Sequence, residues 1–271
     1  MNNKVKKLMS LLMVMAVMVS LLPKMTAFAA ESKKSSIGAD EILTLCNPIG
    51  RLVKQNDTVR MESSASNFTL TGTLEGDIVL DVTVEAKTTE CHNLFVEIDG
   101  TMHYFELAEG RQSVTVAKNL PAGRHTVQIS KGPEAKKEVY YIHGVQYTGT
   151  LEKTAPAVHR MEFLGDSITA GTGVYFYDAG FGGTHSYFTY ANMTADALGA
   201  DYYSVANGGW KFSQSLAPND SIGAIYEKSP CMIKRWGHTI FPGSRRSLSL
   251  TLVPTMPSPV GKIPHTPKKP I

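Results

Sequence analysis

A glycine, an acid and a serine follow one another directly after a short apolar run, and this order can build a nucleophile. The run is Arg160–Leu164, and the triplet is Gly165, Asp166 and Ser167. A strand that ends in this triplet turns sharply, and the glycine allows the turn without a side-chain clash. The serine then stands at the start of a helix, where free backbone N–H groups favour a developing oxyanion. A serine in that setting becomes a nucleophile when a histidine base reaches it.

The triplet alone leaves two interpretations open. It differs from the Gly-x-Ser-x-Gly turn of other serine hydrolases, because the residue two after Ser167 is Thr169. Gly-Asp-Ser is also a common tripeptide in ordinary turns. The neighbouring elements decide between a nucleophile and a plain turn.

A strand, a helix and a second strand are predicted around this turn. Tyr187–Leu198 reads as the helix, with Thr184 or Ser186 as its cap. Asp201–Ala206 reads as the second strand, and Asn-Gly-Gly-Trp follows it. Strand, helix, strand is the parallel βαβ unit, so both strand ends are expected at the same edge of a sheet.

Residues Phe163–Thr169 resemble block I of the GDSL, or SGNH, hydrolases. In that family a glycine after the second strand supplies a backbone N–H to the oxyanion hole. Gly208 is the best match, and Gly209 is the alternative register. The resemblance implies that Ser167 is the nucleophile and that the N–H groups of Ser167 and Gly208 stabilise the tetrahedral oxyanion. Asp166 is expected to shape the turn rather than to act as an acid or base.

Residues 31–150 have the alternation of antiparallel strands. In Asp77–Glu85 and Asn93–Asp99 every second residue is apolar, which predicts one buried and one wet face. Asp99-Gly100 predicts a tight hairpin turn after the second of these strands. Seven or eight short strands at this spacing predict a β-sandwich or jelly roll.

Other residues of this region are expected to be structural. Pro121-Ala122-Gly123 and Lys131-Gly132-Pro133 are expected to interrupt the strands. Four histidines do not stand at ligand spacing from acids, so we expect partly exposed strand residues and no metal site. They are His92, His103, His125 and His143.

The order of sandwich and block I resembles carbohydrate esterase family two. The resemblance implies an N-terminal all-β sandwich followed by an α/β SGNH domain with a flavodoxin-like parallel sheet at 157–228. It implies hydrolysis of acetyl esters on plant-wall polysaccharides or sugar hydroxyls, without a cofactor. A non-catalytic secreted sandwich that binds glycans, followed by a remnant hydrolase segment, is the alternative.

Two further blocks of the SGNH pattern are missing from the sequence. A Gly-x-Asn-Asp block would complete the oxyanion hole, and an Asp-x-x-His block would supply the base. Asn219-Asp220 lies in a polar stretch after Ala217-Pro218, so we interpret it as a chance match. His238 and His265 have no acid nearby in sequence to orient them. We therefore expect a truncated catalytic domain with impaired activity.

The charge of the chain divides into three segments. Residues 1–30 carry four lysines and no acid, residues 31–228 carry 16 basic and 24 acidic residues, and residues 229–271 carry seven basic residues and no acid. Because the long middle segment is acidic, the charge pattern argues against a uniformly basic nucleic-acid binder, and we expect no nucleic-acid partner.

The first segment has the order of a secretory signal peptide: a charged start, an apolar run and small residues. Its 15-residue apolar run, Leu8–Leu22, is too short for a membrane anchor, so we expect export with cleavage near Ala29 or Ala30. Of three cysteines, Cys46 and Cys91 could form a bridge, although buried thiols are favoured.

The last segment, residues 229–271, is unlike the rest of the chain. It holds eight of the 14 prolines, and proline blocks helix interiors and central strands. Ser247–Val253 is its one plausible strand. We interpret it as out of frame or foreign; a basic tail for anionic wall polymers is the alternative.

Overall fold

Period-two apolar patterning produces an eight-stranded antiparallel assembly, which accounts for most of the described chain. The computed structural model describes residues 34–50, 52–86, 92–134, 138–174 and 184–211 and the backbone of 250–252. The strands are Lys34–Ile37 (β1), Leu52–Gln55 (β2), Thr58–Met61 (β3), Asn67–Ala86 (β4), His92–Ile98 (β5), Thr101–Leu107 (β6), Gly110–Lys131 (β7) and Glu138–Glu152 (β8). Their order is β2-β3-β8-β4-β7-β5-β6, with β1 paired to β8. A helix, Ala39–Leu45 (α1), follows β1.

The predicted inward residues form the core of the sandwich. Ile78, Leu80, Val82 and Val84 of β4 are all buried, as the alternation in the sequence predicts. The long strands β4, β7 and β8 pair side by side and carry most of this core. Burial of such side chains contributes roughly 1.5–3 kcal/mol each, so the sandwich is the main source of folding free energy in the described chain.

Strand β5 departs from the expectation of one wet face. Leu94 and Val96 are buried in the sandwich core, but Phe95 on the opposite face is also buried. Its ring packs on that of His185, with 3.5 Å between the centroids. The covering group comes from far along the chain, and period-two alternation carries no information about it.

The expected break at Pro121-Ala122-Gly123 is wrong, since β7 continues through these residues. The register of β4 against β7 shifts here: Leu74 stands opposite Gly123, and Gly76 stands opposite Leu120. Proline is tolerated in a strand at such a bulge, because the residue there does not have to donate a hydrogen bond to the neighbouring strand. The other expected break, after Lys131, is confirmed as the end of β7.

One of the four histidines, His125, is less exposed than expected, while His92, His103 and His143 are at least partly exposed, as predicted. His125 is buried; its Nδ1 lies 2.6 Å from Asp99 Oδ2 and its Nε2 lies 2.7 Å from the Pro121 carbonyl oxygen. Both partners are acceptors, so the doubly protonated ring satisfies both. His92 is hydrogen-bonded to Glu138. Long-range strand pairing places these acids next to the histidines, so the spacing of residues in the sequence could not reveal the pairs.

The His125 pair predicts a pH-dependent stability. The hydrogen bond to Asp99, helped by the Pro121 carbonyl, raises the pKa of His125 above its usual value. Burial opposes ionisation of Asp99, but the hydrogen bonds from His125 and Thr126 lower its pKa overall. The histidine contribution is therefore full below about pH 6.5 and is lost as pH rises through the raised pKa. The Asp99 contribution is present above about pH 4 and is lost at lower pH.

Thermal unfolding of wild type and His125→Gln at pH 5.5 and pH 8.5 measures this. We expect the variant to lose about 2–4 °C more at pH 5.5 than at pH 8.5, the size of a hydrogen bond of about 1 kcal/mol. His103→Gln, at an exposed position of β6, should change the unfolding midpoint by the same amount at both pH values. An equal loss for His125→Gln at both pH values would contradict the assignment.

The second part of the chain forms a small parallel sheet with short helices. Its strands are His159–Gly165 (β9), Ala200–Ala206 (β10) and Leu250–Leu252 (β11), in the order β10-β9-β11. Between β9 and β10 lie the helices Ser167–Ala170 (α2) and Tyr190–Ala197 (α3) and a 3₁₀ turn, Ser186–Phe188. Both neighbours of β9 run parallel to it, which confirms the predicted βαβ unit. The strand β11 falls within the predicted Ser247–Val253.

The cap of α3 differs from the prediction. Thr189, rather than Thr184 or Ser186, accepts the hydrogen bond from Asn192 N–H at 3.2 Å. Ser186 instead lies in the 3₁₀ turn, and its hydroxyl donates to the carbonyls of Lys131 and Gly132. Ser186, which local propensity favoured as the cap, thus bonds to the end of β7 and the loop after it instead.

Two observations concern the cysteines and the membrane. Cys46 is a buried free thiol, and burial raises its pKa to about 12. Cys91, Cys231 and residues 1–30 lie outside the described residues. Among the helices that are described, none has the length and apolar character to cross a bilayer.

Candidate active site

The turn after β9 presents Ser167 as the first residue of α2. Asp166 caps this helix: its Oδ1 accepts the Ile168 N–H at 3.0 Å, and its carbonyl accepts the Ala170 N–H at 2.9 Å. Asp166 is buried and its carboxylate bonds within the turn, whereas Ser167 is half-buried. The carboxylate thus shapes the turn.

Gly165 allows α2 to lie close against the end of β9. A Cβ at this position would stand 1.9 Å from Thr169 Oγ1 and 2.5 Å from Thr169 Cβ. Thr169 is buried, and its hydroxyl lies 3.0 Å from that of Tyr190 on α3. Only glycine fits between strand and helix here.

The ends of β9 and β10 lie side by side. Ala206 pairs with Gly165, so the residues that follow each strand emerge at the same sheet edge. Asn207 N–H donates to the Gly165 carbonyl at 3.3 Å, which ties the second loop to the nucleophile turn. The parallel register therefore brings the Gly208-Gly209 loop beside Asp166-Ser167.

Gly208, the predicted oxyanion donor, already has a hydrogen-bond partner. Its N–H donates to Oε2 of Glu134, a residue of the loop between β7 and β8. The other oxygen of Glu134 accepts the Thr172 hydroxyl at 2.5 Å. A Cβ at Gly209 would meet nothing within 4 Å, so the alternative glycine faces open space. Sequence reasoning missed Glu134, which lies in the other domain, 74 residues before Gly208.

An aromatic cluster joins the sandwich to the α/β part a short distance along the chain from this turn. The His185 ring lies against those of Phe95, Tyr104 and Phe188, at centroid distances of 3.5, 5.9 and 5.0 Å. Burial lowers the pKa of His185 to about 4, so the ring is neutral at physiological pH. His185 therefore acts in packing between the two parts; the sequence analysis did not single it out.

Further polar contacts cross the same boundary. Tyr187 donates to Glu97 Oε2 at 2.5 Å, and the Ser64 and Ser204 hydroxyls lie 3.4 Å apart. Asp201 accepts from Ala157 N–H and from Asn47, although burial raises the pKa of its carboxyl. The sandwich and the small sheet are thus joined by specific hydrogen bonds as well as by ring packing.

The remaining candidate residues of the sequence analysis have no described position. His238, His265 and Asn219-Asp220 lie outside the described residues. Within the described part, no group of three or more His, Cys, Asp or Glu residues is arranged to hold a metal ion.

A family model matches the sandwich. Residues 48–157 match the carbohydrate esterase 2 N-terminal domain. A search of curated proteins finds no match.

Solved structures of carbohydrate esterases share the fold. An acetyl xylan esterase from Butyrivibrio proteoclasticus is 23% identical with a TM-score of 0.58, over 66% of this chain and 50% of that one. A family two carbohydrate esterase from Cellvibrio japonicus is 20% identical with a TM-score of 0.58, over 67% and 54%. One from Clostridium thermocellum, solved with cellohexaose, is 20% identical with a TM-score of 0.54, over 61% and 52%.

The match extends beyond the sandwich, but it spans only about half the length of these relatives. At such identities the similarity establishes the fold. The described elements follow the expected order, from an antiparallel sandwich to a small parallel sheet with a serine at the first strand end. The chain therefore resembles carbohydrate esterase family two in fold, and residues 48–157 match the N-terminal domain of that family.

Proposed function

We propose that the chain is a carbohydrate esterase that removes acetyl groups from the hydroxyls of a polysaccharide or sugar, with Ser167 as nucleophile. The observation that carries the proposal is the shared sheet edge, where the Asp166-capped turn and the Gly208-Gly209 loop lie next to each other. An acyl-transfer site needs these two parts, a presented hydroxyl and backbone N–H groups for the oxyanion.

The proposed reaction forms and breaks one ester at Ser167. Oγ attacks the acetyl carbon while its proton passes to a histidine base, and the sugar oxygen leaves with that proton. Water then hydrolyses the acetyl-serine and releases acetate. Two histidines follow the second strand, His238 and His265, and neither stands in an Asp-x-x-His block. We therefore propose that turnover is impaired relative to a complete triad.

The oxyanion donors are proposed to be the Ser167 N–H and one glycine N–H of the loop after β10. Gly208 fills this role in the first register, and the developing oxyanion then has to displace Glu134 from its N–H. Gly209 fills it in the second register without such an exchange. Support for Gly209 comes from its exposed position in this loop.

Export and domain organisation belong to the same proposal. A polysaccharide substrate lies outside the cell, which fits a signal peptide at residues 1–30 cleaved near Ala29 or Ala30. The proposed domains are the sandwich at 31–150, the hydrolase part at 157–228 and the basic tail at 229–271. The relative solved with cellohexaose supports a glycan as the partner.

A second candidate function is a secreted sandwich that binds glycans without catalysis. The observation in its favour is that the family match covers residues 48–157, a range that ends before Ser167. Hydrolysis of p-nitrophenyl acetate by wild type and Ser167→Ala separates the two candidates. A rate that depends on Ser167 supports the esterase, and equal rates leave the binding protein.

A further inference from the structure

The loop after β7 places one buried carboxylate between the sandwich and both halves of the proposed active site. Glu134 is 1% exposed, and each of its oxygens accepts a hydrogen bond from the α/β part. Oε1 accepts from the Thr172 hydroxyl at 2.5 Å, and Oε2 accepts from the Gly208 N–H. A buried carboxylate persists only when such bonds replace its hydration, so both contacts are needed to keep it there.

The loop that carries Glu134 is itself held in place. Lys131, fully buried, donates from Nζ to the carbonyls of Pro133 at 2.6 Å and Glu134 at 3.3 Å. Ser186 donates to the carbonyls of Lys131 and Gly132. The carboxylate therefore projects from a backbone segment, residues 131–134, whose carbonyls are held by hydrogen bonds.

Each of the two groups that Glu134 binds belongs to a segment that carries a proposed reacting group. Thr172 N–H donates to the Ser167 carbonyl at 2.9 Å, so the Thr172 hydroxyl and the nucleophile belong to one turn. Gly208 is in the loop that offers the oxyanion donor in either register. The nucleophile turn and the glycine loop therefore share a single anchor, and that anchor comes from the other domain.

We infer that Glu134 is a positioning residue for the hydrolase site: the sandwich uses its carboxylate to set the distance between the Ser167 turn and the Gly208-Gly209 loop. The expected effect on catalysis rests on the proposed function. The hydrogen bonds by which Glu134 anchors the two segments do not depend on it. A displacement of reacting groups of about 1 Å costs roughly 100-fold in rate, so an anchor of this kind has a large kinetic effect.

The test compares two full-length variants that each weaken one hydrogen-bonded link between the domains. Glu134→Gln keeps the volume of the side chain but has one acceptor oxygen in place of two. Tyr187→Phe removes the hydroxyl that bonds Glu97 and serves as the matched control. Hydrogen exchange of the Gly208 amide reports the anchor, and kcat and KM for p-nitrophenyl acetate report its consequence.

We expect Glu134→Gln to speed exchange of the Gly208 amide about 10-fold, as for the loss of one charge-assisted hydrogen bond. With Gly209 as the oxyanion donor, whose N–H does not have to leave Glu134, we expect kcat to fall between about 10-fold and 100-fold with KM little changed. Tyr187→Phe should leave the Gly208 exchange rate and kcat near their wild-type values. Glu134→Ala should speed exchange and lower kcat more than Glu134→Gln does. Unchanged Gly208 exchange in Glu134→Gln would overturn the inference, and so would equal losses in the two domain-contact variants. If wild type has no Ser167-dependent rate, the proposed function fails, and Gly208 exchange still decides whether Glu134 is the anchor.

Discussion

Gly165→Ala is expected to disrupt the nucleophile turn and to remove hydrolysis that depends on Ser167. The added methyl would stand 1.9 Å from Thr169 Oγ1, and Thr169 is buried with its hydroxyl next to Tyr190. The helix α2 must therefore move away from β9, and Ser167 moves with it. We expect the rate to fall by roughly 100-fold or more and the domain to lose about 1–3 kcal/mol.

Second-site changes make this prediction specific. Gly165→Ala combined with Thr169→Gly removes both clashing atoms and should restore the turn. Gly165→Ala combined with Thr169→Ala should restore it less, because the Thr169 Cβ that remains would lie 2.5 Å away. Exchange of the Ile168 amide, which bonds Asp166, measures the turn independently of activity. Wild-type exchange and rate in Gly165→Ala alone would show that the strand and helix are not packed this closely.

Gly72→Ala is expected to destabilise the sandwich strongly. Gly72 of β4 stands opposite Leu151 of β8, and a Cβ would lie 2.0 Å from the backbone oxygen of Thr150. A backbone group in the sheet cannot rotate away as a side chain can, so the strands must separate locally. We expect a loss of about 3 kcal/mol, which lowers the unfolding midpoint by roughly 6–12 °C for a domain of this size.

Gly123→Ala is the matched control on the neighbouring strand. A Cβ there would meet only His125 Nε2 at 3.6 Å, an ordinary van der Waals distance. We expect the midpoint to change by no more than about 2 °C. Thermal unfolding of both variants under one condition gives the comparison, and equal losses would contradict the close approach of β4 and β8.

Local patterns in the sequence were sufficient for several of the elements but not for their partners. The alternation in Asp77–Glu85 predicts the buried face of β4, because a strand with one wet face needs no information from elsewhere. The Asp99-Gly100 turn is confirmed by positive φ angles of 49° and 82°, since Asp-Gly favours that backbone locally. The strand before Ser167 and the parallel unit around it follow from the same kind of local signal.

Long-range partners explain what the sequence did not reveal. Glu134 reaches Gly208 from another domain, and nothing in the spacing of the chain brings the two together. Phe95 is buried by His185, 90 residues later, so the polar-or-apolar pattern of β5 could not indicate the second covered face. Pro121 continues a strand because, at the register shift against β4, no backbone N–H is needed for the ladder at this position.

The most direct test of the central claim is the rate of p-nitrophenyl acetate hydrolysis by purified wild type and Ser167→Ala. Ser113→Ala is the matched control, because Ser113 is an exposed serine of β7 that takes no part in the proposed chemistry. If Ser167 is the nucleophile of a carbohydrate esterase, Ser167→Ala lowers kcat/KM by at least about 10-fold, while Ser113→Ala keeps a rate of wild-type order. Equal rates in wild type and Ser167→Ala would contradict the esterase and leave a glycan-binding sandwich.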